Sequence, residues 1–174
     1  MPIAEPAQII KDGKIIDNNW LLLERTENNA SPVPSGQVIV HIDVWLEQKD
    51  QLSARTDIGV WLDNTDTADR LGSDAQQLPL VAVNFPSFMD GRAFTAARLL
   101  RERYGFSGEL RAVGHFIRDQ LCYLKRCGVN AFACDDAIQL DKALASLQDF
   151  SESYQTAADT PIPLFRRRES ALNS

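Results

Sequence analysis

The sequence predicts an α/β fold in which four βα units form a mainly parallel sheet, preceded by a short antiparallel β hairpin region. The main observation is that short apolar runs alternate four times with helical patterns between Ile58 and Tyr154. Such alternation is typical of parallel sheets with right-handed crossovers. Four units are too few to close an eight-stranded barrel, so an open sheet and a half-barrel both agree with the pattern.

The hairpin is predicted by Lys11-Asp12-Gly13-Lys14, which lies between two Ile-Ile pairs. Asp-Gly between apolar residues favours a two-residue turn, because both turn positions need positive φ. Trp20 to Leu23 is expected to add a short strand, and Val38 to Leu46 alternates as a half-buried strand does. These segments predict a small antiparallel, β-rich portion over residues 1–50.

The βα core is predicted over residues 58–154. Its strands are nearly continuous in apolar residues, as strands covered on both faces are, and its helices carry apolar residues three or four positions apart. The strands are expected at 58–62, 78–85, 110–113 and 130–134, and the helices at 67–71, 92–104, 116–127 and 136–154. A chain of 174 residues is expected to form one domain, here with a solvated tail at 159–174.

Composition argues against several classes of protein. A net charge of −6 argues against binding of nucleic acid, and charged residues recur too often for a membrane-spanning segment. The first residues lack the pattern of a secretion signal, so a cytoplasmic location is expected. The three cysteines form no Cys-x-x-Cys pair, and no flavin, haem, iron–sulfur or dinucleotide motif is present, so we expect neither metal nor cofactor. The oligomeric state stays open.

Basic residues are concentrated in one part of this acidic chain. Residues 88–128 contain eight Lys or Arg but only four Asp or Glu. Arg on the outer face of a helix is usually only solvated. The scarcity of carboxylates here nevertheless favours an Arg-rich surface that binds an anion or a protein partner.

The turn after the strand at 78–85 contains the richest set of candidate residues, because ligands of parallel α/β folds bind beyond the carboxyl ends of the strands. Asp90 is placed to cap the next helix and to pair with Arg92, which is one interpretation. The other is that the helix N-terminus and Arg92 bind an anion. The candidate anion- or partner-binding residues are Asp90, Gly91, Arg92, Arg98, Arg111, Arg118, Asp119 and Arg126.

Two further side chains, Cys127 and His115, are candidates for chemistry. Cys127 follows Lys125 and Arg126, and cations next to a thiol lower its pKa and make it reactive. The alternative is an inert, half-buried helix cysteine, which is favoured because no base or resolving cysteine is evident. His115 follows a strand, where it would suit a general acid or base, but no partner is evident in the sequence. No catalytic residue is therefore assigned.

The same stretch resembles the bacterial domain of unknown function 934. The likeness covers roughly residues 58 to 133 and is carried by Phe85-Pro86, Asp90-Gly91-Arg92, Gly108 to Gly114, Arg118-Asp119-Gln120-Leu121 and Lys125-Arg126-Cys127-Gly128. The resemblance implies a role in sulfur assimilation, because members are usually encoded beside sulfite reductase and carry the label of an oxidoreductase of sulfite reduction. It also leads us to expect Asp at the position of His115 in many members, which argues against catalysis by His115.

Two hypotheses follow from the resemblance and the Arg-rich surface. In the first, the protein is an accessory protein of assimilatory sulfite reduction that docks on sulfite reductase or on its redox partner. In the second, it is an enzyme or a binder of a small anion, such as sulfite or a sulfur metabolite, with a strand-end pocket around Asp90 and Arg92. Convergence of Arg92, Arg111 and Arg118 on one pocket would favour the second hypothesis, and their spread over a surface would favour the first.

Overall fold

The structure, a computed structural model, describes residues 6–135, 138–148 and 156–167. Within these ranges, eight strands form one sheet. The strands are β1 (Gln8–Lys11), β2 (Lys14–Asp17), β3 (Leu21–Leu22), β4 (Val38–His41), β5 (Ile58–Leu62), β6 (Leu80–Phe85), β7 (Glu109–Gly114) and β8 (Ala131–Phe132). Their spatial order is β2-β1-β8-β7-β6-β5-β4-β3.

The helices of the described residues are short. They are α1 (Ile42–Glu47), α2 (Lys49–Leu52), α3 (Arg92–Glu102), α4 (Leu121–Arg126) and α5 (Leu140–Ser146), with 3-10 turns at Ala68–Arg70, Gly72–Gln77 and Arg118–Gln120. The helix predicted at 136–154 is therefore observed only as α5, and residues 136–137 and 149–154 lie outside the described part of the chain.

The predicted mixed α/β fold is confirmed. Strands β3 to β8 run parallel to one another, whereas β1 pairs antiparallel with both β2 and β8. The sheet is curled like half of a barrel, so the half-barrel alternative is the correct one. The hairpin turn is also as predicted, with φ of 49° at Asp12 and 73° at Gly13, which is the backbone that an Asp-Gly turn requires.

The prediction for residues 20–46 was wrong in two respects. Strands β3 and β4 belong to the parallel part of the sheet rather than to an antiparallel portion. The strand expected at 38–46 also ends at His41, where α1 begins. Ile42, Val44 and Trp45 are all buried. Ile42 and Trp45 are three residues apart and therefore share one side of the helix that faces the core.

Alternating residues of each strand face two different cores. The larger core lies between the sheet and the helices and includes Val60, Val83 and Leu110. The smaller core lines the inner, concave face and includes Ile39, Trp61 and Leu80. The segment between β2 and β4 covers part of the inner face, since Trp61 Nε1 donates to the carbonyl of Leu23 at 2.9 Å.

Candidate functional site

The carboxyl ends of the parallel strands carry most of the polar side chains near the sheet. His41 is the last residue of β4, Asp63 follows β5, and Asn84 lies near the end of β6. Strands that run in the same direction end at the same edge of their sheet, and this edge is where parallel α/β proteins bind ligands. A ligand site of this sheet is therefore expected at this edge.

His41 is the most deeply placed of these groups, with 0% of its surface exposed. The backbone N–H of Asp43 donates to Nδ1 at 3.2 Å, so the ring proton is assigned to Nε2, which lies 3.0 Å from Asp66 Oδ2. The edge of the Trp61 ring packs against the imidazole at 4.5 Å between centroids. The imidazole is therefore fully satisfied and shielded, and it supports the strand ends instead of meeting a ligand.

Asp66 and Asp43 form a charge network around His41. Asp66 accepts from His41, from the backbone N–H of Asp63 at 3.0 Å and from Arg70. Arg70 also donates to Asp43 at 2.7 Å, and Asp43 accepts from Arg25 at 2.9 Å. The hydrogen bond from Arg70 lowers the pKa of Asp43. Sequence reasoning missed this network, because the partners of its buried hydrogen bond, His41 and Asp66, lie 25 residues apart.

We expect the free energy of unfolding to fall as the pH is lowered through about 6.5. Burial lowers the pKa of His41 below its ordinary value, despite the opposing charges of Asp66 and Asp43. The unfolded chain then binds a proton that the folded protein rejects, which costs at most about 1.4 kcal/mol per pH unit. Urea denaturation at several pH values should show this slope in the wild type but not in His41→Gln. An equal slope in both proteins would contradict the assignment.

A second polar chain crosses from β5 to the start of α3. Asn84 Nδ2 donates to Asp63 Oδ1 at 2.9 Å, and Asn64 Nδ2 donates to Asp90 Oδ2 at 2.5 Å. Asp90 also accepts two hydrogen bonds from the Arg92 guanidinium, at 3.0 and 2.7 Å. These bonds, first of all those from Arg92, hold the pKa of Asp90 well below its ordinary value.

Asp90 and Arg92 thus adopt the local arrangement that was one of the two interpretations of the turn. Gly91 is the N-cap residue of α3. Asp90, the residue before it, accepts a hydrogen bond from the backbone N–H of Arg92 at 3.1 Å. The Arg92 side chain is 62% exposed, but one edge of its guanidinium, formed by Nε and Nη2, is already bonded to Asp90. An anion would have to compete with this carboxylate for Arg92.

The other predicted site residues do not converge on Arg92. Arg111 is 1% exposed on the inner face of the sheet, where it binds Glu109 at 2.7 Å, and cannot form part of a surface. Arg98 pairs with Glu102 one turn along α3. Arg118 and Asp119 are exposed and lie 3.9 Å apart. Arg126 is half-buried near the end of α4.

Four exposed apolar side chains follow the carboxyl ends of β6 and β7, three of them on the connecting loops and one on α4. We call these residues the apolar patch: Phe88, Met89, Ile117 and Tyr123, with exposed fractions of 51%, 80%, 42% and 57%. Gln120 ties the two loops together, since it donates to the carbonyl of Phe88 at 2.8 Å and accepts from the N–H of Ile117 at 3.1 Å. Sequence reasoning missed the patch, although two apolar residues in a turn were a visible signal.

The apolar patch rests on an aromatic cluster that continues into the core. The ring of Tyr123 lies 5.1 Å from that of Phe94, and Phe94 lies 5.1 Å from the buried Phe85. Phe85 in turn contacts Phe116 at 6.0 Å. Aromatic pairs at these distances are attractive. The cluster therefore anchors Tyr123, and with it this part of the apolar patch, to the core.

Cys127 is not the reactive thiol that its cationic neighbours suggested. It is buried, and burial raises its pKa because the thiolate loses its hydration. Burial also raises the pKa of Cys134 to about 12. The effect of burial outweighs that of Arg98 and Arg126, whose charges favour the thiolate of Cys127.

We therefore expect iodoacetamide at pH 8 to modify Cys122 first in the folded protein, since Cys122 is half-buried and the other two thiols are buried. Mass spectrometry of tryptic peptides would give the order of modification. Denatured protein, in which all three thiols should react alike, is the control. Faster labelling of Cys127 than of Cys122 would restore the reactive-thiol hypothesis.

His115 lies on the surface at the end of β7. Its Nδ1 is 3.4 Å from Asp135 Oδ2, and both side chains are well exposed. Its backbone N–H donates to the carbonyl of Phe85 at 2.6 Å. The backbone of His115 thus closes the β6–β7 edge, while its ring faces solvent.

Two kinds of feature are absent from the described residues. They contain no cluster of three or more His, Cys, Asp or Glu with the geometry to hold a metal ion. None of their helices has the length and apolarity needed to cross a bilayer.

Comparison with known proteins gives one match. The family model described as "Bacterial protein of unknown function (DUF934)" matches residues 59–165 of the chain. Neither the curated proteins nor the solved structures contain a significant match.

Proposed function

Because the chain belongs to the bacterial family of unknown function DUF934, we propose that it is an accessory protein of assimilatory sulfite reduction that docks on sulfite reductase or on its redox partner. The observation that carries the docking role is the apolar patch at the carboxyl edge of β6 and β7. The sulfite pathway rests on the family resemblance described above.

The composition of the patch matches that of protein interfaces. Aromatic residues, Met and Arg are enriched at interfaces, and the residues that dominate binding energy are often aromatic or Arg. Here Phe88, Met89 and Tyr123 are exposed, and so are Arg92 and Arg118, which lie close in the chain to Met89 and Ile117. Single exposed apolar side chains are ordinary, but a contiguous group rimmed by polar residues indicates a binding surface.

The patch is also held in its conformation before any partner binds. Gln120 bridges its two loops, and the Phe94–Phe85 contact anchors Tyr123 to the core. A surface that is already ordered loses less conformational entropy on binding. This preorganisation supports recognition of a folded protein surface.

The charges around the patch indicate what kind of surface it would meet. Arg118 is 55% exposed, and its nearest carboxylate is the solvent-exposed Asp119 at 3.9 Å. Arg92 keeps most of its surface exposed although it pairs with Asp90. A partner with an apolar centre and acidic residues at its rim would complement both cations. The small-anion hypothesis is favoured less, since Arg111 is buried on the inner face of the sheet and Arg92 is already paired with Asp90.

We predict that Met89→Glu will weaken binding to the partner by about tenfold or more, because it places a carboxylate at the centre of the apolar contact. Met89 is 80% exposed, so the substitution should leave the fold intact. Leu21→Glu is the matched control, since Leu21 is 57% exposed on β3, at the far edge of the sheet.

The measurement is the affinity of purified wild type and of both variants for purified sulfite reductase and for its electron-donor protein. Sulfite reductase activity is then assayed with and without each variant. Binding of wild type and Leu21→Glu but not of Met89→Glu would support the proposal. No binding to either protein, or equal loss in both variants, would refute it.

A further inference from the structure

A pocket of about 410 Å³ lies at the opposite edge of the sheet from the apolar patch. It opens where the β1–β2 turn, the loop before β8 and the helix α5 meet. The Asp12 backbone N–H donates to the carbonyl of Asn130 at 2.9 Å, which fixes the turn against that loop. The volume lies in the range of ligand pockets, about 300 to 1,000 Å³.

The wall of this pocket is largely apolar. Val129 and Phe132 contribute from the sheet side, and Leu144 and Leu147 contribute from α5 and its end. Val129, Phe132 and Leu147 also belong to the main core or its border. An apolar wall of this kind favours a hydrocarbon chain or ring over a fully polar ligand.

Two cations line the same pocket, and both direct their hydrogen bonds to neutral oxygens. Arg101 donates through Nε and Nη1 to the carbonyls of Gly128, Phe106 and Gly108, and through Nη2 to Asn130 Oδ1, at 2.7 to 3.0 Å. Lys125 Nζ donates to the carbonyl of Leu147 at 3.3 Å. These acceptors orient the two cations without neutralising their charge.

The number of N–H groups left over sets the size of the anion that the pocket can hold. A guanidinium has five N–H donors and an ammonium has three. Four of the Arg101 donors and one of the Lys125 donors are engaged. Within the part of the chain that the structure describes, one Nη2–H of Arg101 and two Nζ–H donors of Lys125 have no acceptor, which suits one carboxylate group.

Two carboxylates limit the charge of the ligand further. Asp12 and Asp159 also line the pocket, and Asp12 accepts from Asn130 Nδ2 at 2.9 Å. Their charges disfavour dianions such as sulfate or phosphate. We propose that this pocket binds a small monocarboxylate with an apolar body, whose carboxylate meets Lys125 and Arg101 and whose body lies against Val129, Phe132, Leu144 and Leu147.

Octanoate is the probe, because it combines one carboxylate with a flexible apolar chain. In NMR titrations of the full chain, octanoate should shift the backbone amides of Val129 and Asn130 with a Kd of about 1 mM or below. Octanol, which lacks the charge, and sulfate, which lacks the apolar chain, should each bind at least about tenfold more weakly.

Lys125→Met tests the cation, since it keeps the length of the side chain and removes its charge. It should weaken octanoate binding about tenfold and leave octanol binding unchanged. Lys142→Met is the matched control, because Lys142 is an exposed residue of α5 that does not line the pocket. Arg101 is unsuitable for this test, since its hydrogen bonds hold the surrounding chain together.

Each outcome supports or overturns the proposal. The proposal is supported if octanoate shifts the amides of Val129 and Asn130 in the wild type and if Lys125→Met selectively loses octanoate binding. It is overturned if octanoate does not shift these amides, or if Lys125→Met and Lys142→Met bind octanoate equally well. Equal binding of octanol or sulfate would also overturn it, because then the charge or the apolar wall contributes nothing.

Discussion

Gly114→Ala is expected to lower the free energy of unfolding by about 4 kcal/mol, from backbone strain and overpacking together. Gly114 ends β7 with a φ of 90°, a conformation that residues with a Cβ rarely adopt. A Cβ built there would lie 2.5 Å from both Asn84 Oδ1 and the carbonyl oxygen of Phe85. Neither oxygen can move freely, because Asn84 binds Asp63 and the Phe85 carbonyl accepts from His115.

Gly36→Ala separates the two causes. Gly36 has a similar φ of 101°, but nothing lies within 4 Å of its Cβ position. This variant should therefore show only the strain, about 1 to 2 kcal/mol. Urea denaturation of both variants gives the comparison. If both substitutions lower the free energy of unfolding equally, β6 and β7 do not approach each other at Gly114 as closely as the structure indicates.

The parallel sheet could be predicted because its signal is local and repeated. Each strand from 58 to 134 is a short apolar run followed by a helical pattern, and the chain has few other ways to bury such runs. The segment at 38–46 lacked this clarity. Its apolar residues fit a strand by their spacing of two, yet Ile42 and Trp45, three residues apart, also fit one side of a helical turn. Only packing against the sheet decided between the two.

The location of the candidate site could be predicted from the sequence, but the exposure and pairing of its side chains could not. The turn at Asp90-Gly91-Arg92 does lie at the carboxyl edge of the sheet. Exposure of the individual Arg side chains could not be predicted from charge alone. Glu109 and Arg111 are two residues apart in a strand and so share a face, which was a signal that they pair. His41 has no such signal, because its partner Asp66 lies 25 residues away.

The position of Arg101, by contrast, is indicated by the sequence. Ala93, Ala97 and Arg101 are four residues apart and lie on one side of α3, and both alanines are buried. The spacing thus places Arg101 at the border of the buried stripe. Its guanidinium reaches past the end of the helix, stacks over the Phe106 ring at 5.1 Å and meets the loop before β8. The Arg-rich stretch therefore holds a structural cation as well as exposed ones.

Arg101→Met should consequently destabilise the protein by about 4 kcal/mol. Methionine preserves the aliphatic stem but removes every donor to the carbonyls of Gly128, Phe106 and Gly108 and to Asn130. A partly buried acceptor that loses its donor costs about 1 to 3 kcal/mol. Arg98→Met is the control on the same helix, because Arg98 is exposed and pairs only along the helix surface with Glu102. Its stability should stay within the error of urea denaturation. A small effect at Arg101, or an equal effect at both positions, would show that the loops before β7 and β8 are held by other contacts.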